Sequence, residues 1–135
     1  MSESMKAVVI TQPGGVEVLE LRDVERPTPG GMDILVRVAS SGLNRADLLQ
    51  RRGLYPPPRG YPEDIPGLEY SGVIEAIGEE VDTHAVGQAV MGITGGGAYA
   101  EYVVVPAATT VRVPHGLDPV EAGAIPEVFM TAYDA

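Results

Sequence analysis

Glycine and proline cut this chain into short runs, and that punctuation constrains the fold more than any other feature. The 135 residues hold 17 glycines and 12 prolines, spread along the chain rather than gathered in a low-complexity tract. Short β-branched stretches lie between them. This pattern suits a fold of short strands and many turns. The length suffices for one core and is too small for two ordinary domains. A net charge of -10 repels phosphate backbones, so nucleic acid is not the expected partner. Cysteine is absent, which excludes disulfides, thiol nucleophiles and thiolate zinc sites. His84 and His115 are far apart in sequence and read as ordinary surface or loop residues. The N-terminus has no signal-like apolar region, and no run has transmembrane length. A soluble, cytoplasmic protein with no membrane partner is the expectation.

Residues 6–10 read as a strand and 11–15 as a turn. Residues 16–21 alternate with one slip of phase, which predicts a bulge or a strand with both faces partly covered. Residues 34–38 and 70–77 are good strands, and Gly72 inside the second marks a bulge or a close backbone approach. A short apolar run covers 88–91. The glycines of 92–97 form a tight connection, and 98–105 is the clearest strand by β-propensity. A last strand covers 111–113. Asp118, Pro119 and Glu121 then predict a helix start, with Asp118 as N-cap, Pro119 at the first position and Glu121 completing a capping box. A second helical run begins near residue 127. It is apolar at Val128, Phe129, Met130 and Ala132, and it is still under way at Ala135, which reads as a chain cut within a longer protein.

Residues 42–58 organise the rest. An apolar run ends at Leu43, a short helix over 46–52 is opened by Asn44 and closed by Gly53, and Tyr55 follows, braced by prolines. Asn44 and Asp47 have the spacing of a helix cap and a first-turn acid. A capped helix start is also a rigid place to hold a polar group at a cleft, so both readings stand. Residues 55–66 contain five prolines, which predicts an ordered but irregular loop of the kind that carries function. Glu69 falls in an apolar context and calls for an internal hydrogen-bond or ion partner. Arg45 and Arg51 read as solvated.

Four ordered blocks carry a resemblance: LNRADLLQRRGLYPPP, IPGLEYSGVIEAIG, GGGAYAEYVVVP and EAGAIPEVFMTAYDA. Together they resemble the medium-chain dehydrogenase/reductase superfamily, and within it the zinc-independent quinone oxidoreductases related to zeta-crystallin, most of all the tumour-suppressor-inducible quinone reductase branch. The resemblance covers essentially the whole chain. Zinc-dependent alcohol dehydrogenases carry a ligand cysteine where this chain has Asn44, and a ligand histidine where it has Leu68 between Gly67 and Glu69. An amide and an isobutyl group cannot replace a thiolate and an imidazole, so a metal-free member is expected. Gly87-Gln88 departs from the family's usual Gly-Asp, a change confined to a turn.

The resemblance implies a mainly β, GroES-like, partly open barrel with short helices over 1–125, and the start of an interdomain helix over 126–135. It implies a doubly wound nucleotide-binding domain beyond Ala135. No G-x-G-x-x-G opens a helix after a strand here, since the glycines at 95–97 lead into a strand. The implied reaction is hydride transfer from NADPH to a quinone or related electrophilic carbonyl, by a full-length enzyme that forms a homodimer. By resemblance Asn44 sits by the nicotinamide end and Asp47 supports it. Tyr55 reaches into the substrate cleft, and Thr131 faces the nicotinamide. Asn44, Asp47 and Tyr55 are thus the expected catalytic residues, with Asn44 and Thr131 on the cofactor and no metal ligand. Alone, the chain is expected to be inactive. Two other classes compete: a non-catalytic GroES-like module acting through a protein partner, with 128–132 as its edge, and a ring-forming co-chaperonin subunit, against which the blocks around Asn44 and Tyr55 speak.

Overall fold

The computed structural model describes residues 2–135. Seven strands and three short helices follow one another: β1 (Ser4–Ile10), β2 (Leu19–Glu25), β3 (Asp33–Ser40), α1 (Arg45–Arg51), β4 (Glu69–Ile77), β5 (Ala89–Ile93), β6 (Tyr102–Pro106), β7 (Thr110–Arg112), α2 (Pro119–Ala122) and α3 (Pro126–Asp134). All strand pairs are antiparallel. One sheet has the order β6-β3-β4-β5-β7, and β1-β2 form a separate ribbon. A single bridge, Ala7 to Ala100, stitches the ribbon to the run leading into β6. The result is the curled, partly open barrel of a GroES-like fold.

Alternation builds the core. Ile34, Val36, Tyr70, Ile74, Val90, Val103 and Val105 point inward from β3, β4, β5 and β6 and pack as one cluster. Each fully buried aliphatic side chain there contributes about 1.5–3 kcal/mol. The Tyr70 hydroxyl keeps a partner inside, Thr110 Oγ1 at 2.7 Å. The register of β3 on β4 shifts twice, between Leu35 and Val36 and between Val38 and Ser40. Gly72 lies beside the second shift, where a Cβ would meet the Arg37 carbonyl oxygen at 2.0 Å. The close backbone approach expected of a strand glycine is present.

Three local expectations need correction. Residues 16–21 are not a bulged strand: Val16–Val18 form a 3-10 turn, and β2 starts at Leu19. The Glu17 carboxylate accepts the Gly15 N–H at 3.0 Å and Val18 is buried, so the slip of phase marks a turn. The strand expected over 98–105 begins only at Tyr102. Ahead of it the backbone divides its hydrogen bonds: Tyr99 N donates to Pro66 O at 2.9 Å, while Tyr99 O accepts from Val8 N at 2.8 Å. A segment pinned to two different partners turns a corner, and β-propensity yields to that. At α2 the cap is Asp118 alone, whose side chain accepts from Val120 N at 2.7 Å, while Glu121 is exposed.

Candidate functional site

The region around residue 44 is built from the capped start of α1, the first residue of β4, the corner at Tyr99 and the start of α3. Asn44 and Asp47 occupy capping-box positions, and the Asp47 carboxylate accepts the Asn44 N–H at 2.8 Å. The same oxygen, Oδ2, accepts the Tyr99 hydroxyl at 2.5 Å. Asp47 is only 7% exposed, and its Oδ1 is buried without a protein partner. The expected helix start is therefore correct to within one residue, and the acid at its third position is also a tertiary anchor.

The Asn44 side chain faces both the start of α1, as the reciprocal half of the capping box, and β4. Its Nδ2 donates to Glu69 Oε1 at 3.0 Å. Glu69 is 2% exposed, and its Oε2 accepts the Glu127 N–H at 2.9 Å in the first turn of α3. A carboxylate there suits the positive end of a helix dipole. Glu69 thus has the internal partners its apolar context demanded, and it ties Asn44 to α3.

Three carboxylates, Asp47, Glu69 and Glu127, crowd this region. Burial holds the Tyr99 phenol far above its ordinary range, helped by its hydrogen bond to Asp47 and by the charges of Asp47 and Glu69. Tyr99 therefore remains a neutral donor at any physiological pH. Burial raises the Glu127 carboxyl, and the charges of Glu69 and Asp47 add to it. Among the described residues no three His, Cys, Asp or Glu side chains come together as a metal-ligand set.

Asn44 lines a cleft of about 360 Å³ whose other walls include Leu43, Leu48, Pro66 and Tyr99, with Arg45 and Arg51 also along it. Leu43 and Leu48 are exposed there. Asp47 borders the same cleft. Tyr55 lies elsewhere, 42% exposed in a cavity of about 440 Å³ with Gln50, Pro56, Pro57, Glu63 and Asp64. The two cavities flank α1, one on the Leu48 side and the other on the Gln50 side. Thr131 is exposed in a third groove along α3, with Ile93, Phe129 and Met130. The fold thus joins Asn44 to Asp47 and, through Glu69, to the start of the helix that carries Thr131. It does not bring Tyr55 into the Asn44 cleft. Sequence reasoning missed Tyr99 and Glu127, which have no local signature: their partners are 52 and 58 residues away.

Comparison with known proteins agrees with this architecture. The alcohol dehydrogenase GroES-like domain matches residues 30–115. The synaptic vesicle membrane protein VAT-1 homolog of Danio rerio is 40% identical over 129 residues, covering 95% of this chain and 26% of that protein. A quinone oxidoreductase of Pseudomonas aeruginosa is 40% identical over 121 residues, covering 89% of this chain and 37% of its own length. The crystal structure of the human VAT-1 homolog-like protein superposes with a TM-score of 0.89 at 36% identity, over 98% of this chain and 42% of that one. The chain spans about a quarter to two-fifths of these relatives. With the curled antiparallel sheet, the capped α1 and the family match over most of its length, the chain belongs to the alcohol dehydrogenase GroES-like domain family of the medium-chain dehydrogenase/reductase superfamily, with VAT-1 homologs and quinone oxidoreductases as relatives.

Proposed function

We propose that residues 1–125 are the substrate-facing domain of an NADPH-dependent, zinc-free quinone oxidoreductase, and that residues 126–135 begin the helix leading to its nucleotide-binding domain. The observation that carries this reading is an apolar cleft beside Asn44 in a chain 40% identical to a quinone oxidoreductase. A flat, weakly polar acceptor suits walls of leucine, proline and tyrosine. At the two positions where zinc-dependent relatives hold the metal, this chain offers the amide of Asn44 and the buried hydrocarbon of Leu68, which supports a zinc-free site.

NADPH supplies the hydride. The residues here suit its nicotinamide end: Asn44 lines the cleft at the capped start of α1, and Thr131 is exposed on α3. Asp47 keeps the start of α1 in place by holding the Asn44 backbone and Tyr99 together. The cleft walls exclude water around a ring seated between Leu43, Leu48 and Tyr99. Tyr55 acts at a second wall of the substrate path, in the cavity on the Gln50 side of α1. No glycine-rich turn opens a helix for the phosphates within these residues, so the 135 residues alone are inactive. The enzyme works in the cytoplasm as a homodimer.

The test is NADPH titration of this chain beside a version extended through a nucleotide-binding domain, with quinone reduction as the second readout. The reading expects binding and turnover from the extended version only. Tight NADPH binding by the short chain places the cofactor wrongly in this account, and no binding by either removes the enzyme reading. A non-catalytic module acting through a protein partner then takes its place. The exposure of Phe129, Met130 and Tyr133 on α3, from 53% to 94%, favours that second reading.

A further inference from the structure

We infer that Arg45 and Arg51 select for a substrate whose apolar body carries a carboxylate, held at the edge of the Asn44 cleft. This rests on the reading of that cleft proposed above. With 19 acidic and 9 basic residues, each cation of this chain has acids in excess to pair with. Lys6, Arg22, Arg26 and Arg37, on or beside the strands, each take one. Among the described residues Arg45 and Arg51 form no ion pair, and both line the cleft. Residues 45, 48 and 51 are spaced by three, so Arg45, Leu48 and Arg51 make one stripe along α1. The two ends of the stripe are about 9 Å apart along the helix axis. Leu48, half exposed, lies between the two guanidinium-bearing positions.

The remaining walls do not compete for those cations. Leu19, Leu43 and Pro66 are hydrocarbon. Asp47 borders the cleft, but its Oδ2 accepts the Tyr99 hydroxyl at 2.5 Å and the Asn44 N–H at 2.8 Å, and its Oδ1 is sealed from solvent. Glu17 is held low first by its own and the Gly15 N–H groups, and Arg51 is the least of the causes. Arg51 Nε donates to Gly14 O at 3.2 Å, and Gly14 N donates back to Arg51 O at 3.0 Å, which fixes that end of the stripe. Its terminal nitrogens, and the whole guanidinium of the exposed Arg45, have no protein acceptor among the described residues. A planar guanidinium meets a carboxylate with two parallel N–H bonds, each about twice as strong as a neutral one. An apolar body over Leu48 with its carboxylate on Arg45 or Arg51 therefore satisfies both kinds of wall. A neutral ring gains the hydrocarbon alone. A net charge of -10 repels such an anion elsewhere on the surface, so a preference for it has to come from this stripe. A nucleotide phosphate shares the anionic chemistry, but leucine and proline walls suit an apolar acid better than a sugar phosphate.

The probes are trans-cinnamate, trans-cinnamamide and cinnamylamine, which carry a negative, a neutral and a positive end on one apolar body. Each is titrated into the 135-residue chain at low salt and followed by NMR at Leu43, Leu48 and Tyr99. The expected result is about tenfold tighter binding of the acid than of the amide, with the amine weakest, and a gap that narrows as salt is raised. Arg45→Gln and Arg51→Gln should each narrow the gap, and the double variant should close it to within about twofold. Arg45→Lys keeps the charge and should keep most of the preference. If losing the Gly14 bond unfolds the Arg51 variants, Arg45→Gln and the salt series still decide. A second pair, nicotinamide mononucleotide and nicotinamide riboside, separates the two sources of an anion. A preference in that pair with none in the cinnamate series assigns the anion to the cofactor and overturns the inference. Equal binding of acid and amide, tighter binding of the amine, or a gap that the arginine variants leave untouched also overturns it, with the cleft still in place. No perturbation of Leu43, Leu48 or Tyr99 by any probe overturns the inference and the cleft reading together.

Discussion

The sheet core and the polar knot at Asn44 lie side by side in this fold, and they are held together by different physics. In the core, Ile34, Val36, Val90 and Val105 are wholly buried and interchangeable in kind: any well-sized hydrophobe supplies most of what they supply. In the knot, Asp47, Tyr99, Asn44 and Glu69 are specific in kind. The Asp47 and Glu69 oxygens that are bonded all accept from specific donors, and a wrong group leaves a buried acceptor or donor unmatched. The core supplies stability, and the knot supplies orientation to the cleft. The difference teaches where function can sit: beside the part of the molecule that tolerates least.

The largest effect should come from the core. Ile34 pairs with Ile77 on one side and Val105 on the other, and it is fully buried. Ile34→Ala should cost about 3 kcal/mol of unfolding free energy in a urea titration and leave the Asn44 side-chain resonances unchanged. Shifted Asn44 resonances would break the separation between the two regions.

Tyr99→Phe comes next. It removes the hydroxyl from Asp47 Oδ2, leaving that carboxylate with the Asn44 N–H beside an already orphaned Oδ1. The expected cost is about 2 kcal/mol, read by the same titration, together with a shift of the Asn44 resonances. A loss below about 0.5 kcal/mol would mean that water replaces the phenol freely, and that the knot is looser than its geometry.

Alkaline pH probes both regions at once. Burial pushes the Tyr70 phenol up to about 12 against its bond to Thr110, and Tyr99 is raised further. A raised phenol keeps its proton in the folded chain after the unfolded chain has released it. Stability is therefore fully present below about pH 10 and falls as pH rises above it, by about 1.4 kcal/mol per pH unit for each such tyrosine. For Tyr70 the fall ends near pH 12. Tyr70→Phe and Tyr99→Phe should each flatten the slope above pH 10 in unfolding experiments. A slope unchanged in Tyr99→Phe would count against the buried pairing with Asp47. The smallest effect belongs to the surface: Lys6 and Asp23 pair at 2.7 Å with both side chains more than half exposed, and Lys6→Ala should change stability by less than about 0.5 kcal/mol.

The same contrast explains what could be read from the sequence. The strands at 6–10, 34–38 and 70–77 announce themselves by alternation, because inward and outward faces are a local property of the chain. Gly72 and the partnered burial of Glu69 were legible for the same reason. The Asn44 cap was also legible, since its spacing to Asp47 is local. That Asp47 would meet Tyr99, or that Glu69 would receive the Glu127 N–H, was not, because pairings across 52 and 58 residues leave no periodic trace. The turn at 16–18 and the corner at 98–101 escaped for a related reason. Their shapes follow from where the Glu17 carboxylate and the Val8 and Pro66 backbones lie, and β-branched composition points the other way. The pairing of Asn44 with a different cavity from Tyr55 likewise depends on which faces of α1 the loops cover.

The most direct test of the knot is hydrogen exchange at the Asn44 side-chain amide, followed by NMR in the wild-type chain and in Glu69→Gln. If a buried carboxylate holds that amide, the proton directed at Glu69 exchanges with solvent at least about tenfold more slowly in the wild type than in the variant, and its two amide protons differ clearly in rate. Equal, fast exchange of both protons in the two proteins would show that Asn44 turns freely, and the account of an oriented cleft would fail.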